Sequence, residues 1–170
     1  MKTLPGLWQT IVTGLSLIFM ALSSPCLAEH FVVHLSAQAP GARAESFMDT
    51  TPPLGGVNKR PILSIKAGEF VQISWQMKSG FPHGTMKGVT VHFFVVREEH
   101  LGQKPVPDPA GKAGIVDNSF RMDFAPHTGS GGSLHMKMIE PGYYLVRIQS
   151  EDTHQEHDHE HFSAIDIQVQ

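Results

Sequence analysis

The chain has 170 residues, with 13 Lys and Arg against 16 Asp and Glu and a formal net charge of −3 when histidine is counted neutral. That length fits one domain plus an export signal. The absence of a basic cluster argues against a nucleic-acid partner, and a single cysteine, Cys26, rules out an internal disulfide framework.

Lys2 is the only charged residue before Glu29, and an apolar run at 15–22 leads into Ser23, Ser24, Pro25, Cys26, Leu27 and Ala28. The run is too short for a membrane span, which takes about 20 apolar residues. Small residues at Cys26 and Ala28 suit cleavage after Ala28. Residues 1–28 therefore read as a signal peptide, and 29–170 as one exported domain, periplasmic or secreted, with no membrane span in the mature chain. Removal of Cys26 leaves no thiolate ligand and no cysteine nucleophile, so a hydrophobic core must hold the fold.

The mature chain reads as short strands punctuated by Gly, Pro, Ser and Asp, with no long helical period. A first strand is expected at 31–37, followed by a Pro/Gly/Ala-rich loop at 38–58. A second covers 60–66 and stops at the Ala67-Gly68 turn. In 69–77, Val71, Ile73, Trp75 and Met77 alternate with Gln72, Ser74 and Gln76, the pattern of a half-buried strand. Segment 89–97 is nearly all apolar, which predicts a strand covered on both faces. After a loop at 98–114, Phe120, Met122 and Phe124 alternate with Arg121 and Asp123. Residues 125–132, with three glycines, read as a loop. Leu134, Met136 and Met138 then alternate with His135 and Lys137; the two methionines read as core and His135 as outward-facing. Glu140-Pro141-Gly142 is a strong turn signal. Strands at 144–148 and 165–169 close the chain. The total is seven or eight strands, an all-β antiparallel sandwich.

Pro141-Gly142-Tyr143-Tyr144-Leu145-Val146-Arg147 resembles the tyrosine-corner strand of immunoglobulin-like and fibronectin-type-III-like domains, with Tyr144 on the same face as Val146 and Ile148. The resemblance covers that strand and its turn. It implies an Ig-like sandwich and carries no activity with it. A cupredoxin sandwich is related, but a blue-copper site needs a cysteine the mature chain lacks.

Function is signalled by histidine. All 11 follow residue 28, and imidazole is both the commonest metal ligand and the side chain that titrates near neutral pH. Within 151–161 stand His154, His157, His159 and His161, together with Glu151, Asp152, Glu156, Asp158 and Glu160. In an extended chain His157, His159 and His161 share one face. Imidazoles two apart can act as cis ligands for zinc, copper or nickel, with neighbouring carboxylates orienting the rings. In an Ig-like sandwich alternate loops gather at one pole. The connection after 69–77 carries His83 and Met86, that after 120–124 carries His127, and that after 144–148 carries the cluster. His83, His127, His154, His157, His159 and His161 are thus the candidate metal ligands. Met86 is expected to pack under its loop, His92 to be buried against a backbone group, and His100 to lie at the opposite pole.

No nucleophile elbow, phosphate loop or zinc-protease helix is present, so no enzymatic activity is expected. The leading expectation is an exported module that binds copper, zinc or nickel through loop histidines. One alternative is an adhesion module that binds another exported protein and carries its histidines as a solvated, pH-responsive loop; a less favoured one is a metalloenzyme in which a His-bound ion with an open position activates water.

Overall fold

A computed structural model of the chain describes residues 31–48, 60–80, 83–102, 114–151 and 161–170. The expected signal peptide and most of the histidine cluster lie outside these residues. Nine strands form among them: β1 (Phe31–Ala39), β2 (Ala42–Met48), β3 (Ile62–Ile65), β4 (Phe70–Ser79), β5 (Met86–Glu98), β6 (Gly114–Phe124), β7 (Gly129–Lys137), β8 (Gly142–Glu151) and β9 (His161–Val169). They make a four-stranded sheet, β2-β1-β4-β7, and a five-stranded sheet, β3-β9-β8-β5-β6. No helix among the described residues is long and apolar enough to cross a membrane.

The all-β two-sheet architecture is the expected one, and period-2 burial explains most of it. In β4, Val71, Ile73 and Met77 are fully buried while Gln72 and Gln76 are exposed. Burying each such side chain contributes about 1.5–3 kcal/mol. These residues meet Val33, Leu35 and Ala37 of β1 and, from the other sheet, Val146, Ile148, Ile165 and Ile167 in one core. Strand β5 is covered on both faces, as its apolar run requires. Val91, Phe93 and Val95 join that core, while Phe94 and Val96 join a second cluster with Leu145 and Ala164. Arg147 lies across this outer cluster, its guanidinium carbon 4.1 Å from the Phe162 ring centroid. Met138 is buried and Met136 packs against the core, while His135 is exposed.

Three expectations are corrected. The stretch 38–58 is not wholly a loop, because Ala42–Met48 pairs with β1 through a tight reversal at Pro40-Gly41. Ala42, Ala44 and Ser46 on one parity and Arg43 and Glu45 on the other give the strand little hydrophobic periodicity before Phe47 and Met48. Gly129, Gly131 and Gly132 are not loop residues but begin β7, paired to Lys78, Gln76 and Trp75 of β4. A side chain at Gly132 would collide with the Trp75 indole, where a Cβ would lie 2.9 Å from Nε1. The tryptophan covers the space the glycine leaves open. Among the described residues the count is accordingly nine rather than seven or eight, and one pairing, β3 with β9, is parallel.

The end of the sandwich that holds the β7–β8 turn is closely tied. Glu69 N–H donates to Lys66 O across Ala67-Gly68, with Gly68 at φ 89°, a conformation that favours glycine. Gly68 N–H reaches Met138 O at 2.6 Å and Ala67 N–H reaches Gln170 O at 2.7 Å. The Tyr144 hydroxyl donates to Glu140 O at 2.8 Å, a bond back to the preceding backbone of the kind a tyrosine corner makes. Arg97 adds bonds to Glu140 and to Pro141 O.

On the outer side of the five-stranded sheet, Arg60 bonds Asp166 at 2.5 Å and Glu98 at 2.8 Å, and Gly102 N–H donates to the other Asp166 oxygen. All three side chains are essentially buried. This network clamps the start of β3 to β9 and to the end of β5. Asp166 lies between the core residues Ile165 and Ile167, so its parity points away from the main core. The only hint of burial was the doubly apolar β5, which requires a cover on both faces.

Candidate functional site

Strand register determines which connections share an end. Phe31 opens β1 opposite Ser79, the last residue of β4. Met86 opens β5 opposite Phe124, the last residue of β6. Gly129 opens β7 opposite Lys78. Ser150, near the end of β8, pairs with His161, which opens β9. The β4–β5 and β6–β7 connections therefore cross between the sheets at one end, and the β8–β9 hairpin opens toward that same end. Ser79 N–H donates to Thr128 O at 2.8 Å, joining the first two of these connections. Beneath them Phe31 and Phe124 pack edge to face with centroids 4.9 Å apart, beside buried Met77 and Met86. Met86 is thus a core residue, as expected from its place under the loop.

His83 is exposed in the bend between β4 and β5. His127 is exposed in the turn 125–128, where Thr128 N–H and its hydroxyl both donate to Ala125 O at 3.1 and 2.8 Å. Pro126 presets the φ of the first central position. His127 takes the second with φ 59°, and it is the only non-glycine residue at positive φ among those described. Histidine tolerates this region better than most residues, but the conformation still costs of order 1 kcal/mol. His161 is placed by its backbone at the head of β9. His154, His157 and His159 lie outside the described residues. Among the described residues no group of three or more His, Cys, Asp or Glu side chains is close enough to hold a metal ion.

The other described histidines stand apart from this end or have local partners. His92 departs from its expectation. It is partly exposed, and its Nε2 meets Asp117 Oδ1 at 2.6 Å rather than a backbone group. The two come from neighbouring strands on the outer side of the five-stranded sheet, a cross-strand pair that no local spacing announces. His34 lies 3.7 Å from Glu45, which also bonds Arg43. His100 follows the end of β5 at the opposite end of the sandwich, as expected.

No family model matches the chain, and no curated protein matches it. Among solved structures the chain is similar to the PmoD soluble domain from Methylocystis sp. ATCC 49242 (Rockwell). Identity is 10%, with 81% of this chain and 90% of that one covered and a TM-score of 0.39. The assignment of a two-sheet all-β fold rests on the strand pairings themselves.

Proposed function

We propose that the chain is an exported metal-binding module, without catalytic turnover, that takes up copper, zinc or nickel through loop histidines. The observation that supports this reading is the shared end. His83 and His127 are exposed on two joined connections, and the β8–β9 hairpin, whose sequence carries His154, His157, His159 and His161, opens toward them. Neutral imidazole nitrogens suit all three metals. The carboxylates between the hairpin histidines would orient the rings and offset the cation's charge. A rigid sandwich with ligands on its loops is a common division of labour between scaffold and function.

The test is elemental analysis of the purified protein after dialysis with trace copper, zinc and nickel. The expected result is one tightly held ion per chain. Deletion of 154–161 should abolish retention while the β-sheet circular dichroism persists. If no ion is retained, or if the deletion variant retains it equally, the reading fails and protein binding becomes the better account of the exposed loops.

A further inference from the structure

Among the described residues four strands form sheet edges: β2, β7, β3 and β6. Exposed edges invite pairing with another chain, and charge or short length blunts them. Strand β2 carries exposed Arg43 and Glu45, β6 carries exposed Asp117, Arg121 and Asp123, and β3 has four residues. Strand β7 has such protection only in its last residue, Lys137. It runs nine residues, Gly-Ser-Gly-Gly-Ser-Leu-His-Met-Lys, with no formally charged residue before Lys137 and every residue exposed or only partly buried.

Its side chains are also unevenly distributed. The half before Ser133 is Gly129, Ser130, Gly131 and Gly132, and the half after it is Leu134, His135, Met136 and Lys137. In an antiparallel pairing centred on Ser133, the small half of one strand lies opposite the large half of the other. Gly132 would face Leu134 and Ser130 would face Met136 on the core-facing side. Gly131 would face His135 and Gly129 would face Lys137 on the outer side. Among the described residues nothing closes the sandwich on the core-facing side of this edge. Trp75 and Phe120, from opposite sheets, meet there with centroids 5.5 Å apart and are only partly buried, as are Leu134 and Met136. A second Leu134 opposite Gly132 would extend that apolar layer beside the indole.

We propose that β7 is a self-complementary dimerisation edge, at which two copies of this chain pair antiparallel about Ser133 and join their four-stranded sheets into one eight-stranded sheet. The partner is a second copy because the size pattern complements itself only when the strand is reversed on its own sequence. The pairing uses no histidine-bound metal, so its test is run in a chelator and is independent of the proposed function.

The experiment is sedimentation equilibrium of the purified full chain with EDTA, from micromolar to millimolar concentration, beside Ser133→Lys and Ser133→Glu. Ser133 is exposed, so either variant should keep the fold, which circular dichroism checks. In the symmetric pair each variant sets like charges directly opposite one another. The natural chain should show a concentration-dependent doubling of mass, and each variant alone should raise the dissociation constant at least tenfold. An equimolar mixture of the two variants should restore dimers, and added salt should weaken that rescue. A natural chain that stays monomeric at millimolar concentration overturns the proposal. So does a dimer that survives unchanged in both single variants.

Discussion

The two ends of the sandwich are built differently. At the β7–β8 end the chain reverses in tight turns, and its polar groups are spent on holding strands together: Tyr144 on Glu140 O, Gly68 on Met138 O, and Arg97 on Glu140 and Pro141 O. The buried Arg60, Asp166 and Glu98 network lies toward this end, since Glu98 is the last residue of β5 and pairs with Tyr143. At the other end Phe31, Phe124, Met77 and Met86 seal the core. The polar side chains above them, His83 and His127, point to solvent, and His127 holds an unfavourable backbone conformation. One end spends polar side chains on bonds between strands, and at the other the described imidazoles of His83 and His127 stay exposed. Such a division is expected when a site is carried by loops on a scaffold that must not move.

Substitutions at the two ends can break that comparison. The largest effect is expected from Arg60→Ala, which leaves Asp166 and Glu98 buried without their shared guanidinium. The expected loss is about 3–5 kcal/mol, read from the urea midpoint. A loss under about 1 kcal/mol would mean the network behaves like a surface pair. Next is Tyr144→Phe, which removes one hydroxyl hydrogen bond and should cost about 1 kcal/mol. No change would show that the tyrosine contributes by packing alone. The smallest effects belong to the histidine end. His83→Ala should shift stability by no more than about 0.5 kcal/mol. His127→Gly should stabilise by at most about 1 kcal/mol, because relief at positive φ is partly offset by glycine's greater freedom in the unfolded chain. Both substitutions should reduce metal retention. If instead they destabilise the fold and leave metal content intact, the contrast between the two ends is lost.

Much of the scaffold was legible residue by residue. Alternation in 69–77 identified β4 and its buried face, the continuous apolar run of 89–97 identified a strand covered twice, and Tyr144 announced its turn. The failures share a cause. Ala42–Met48 and Gly129–Gly132 carry little apolar signal of their own and are strands because neighbouring strands, β1 and β4, supply hydrogen bonds and the Trp75 ring. At the candidate site, histidine enrichment was visible at once. That His83 and His127 sit on joined connections was not, because it depends on pairings between strands far apart in sequence.

The sequence by itself determined the fold class, the faces of most strands and the concentration of imidazole in the connections, because burial alternation and side-chain chemistry are local properties. Tertiary structure alone decided which of the described strands lie at sheet edges, that β3 runs parallel to β9, that Asp166 and Glu98 share a buried arginine, and which connections meet at one end. Those outcomes are set by non-local contacts. Their energy comes from groups far apart in sequence, Arg60 lying 38 residues from Glu98 and 106 from Asp166, and no short window of sequence contains both partners.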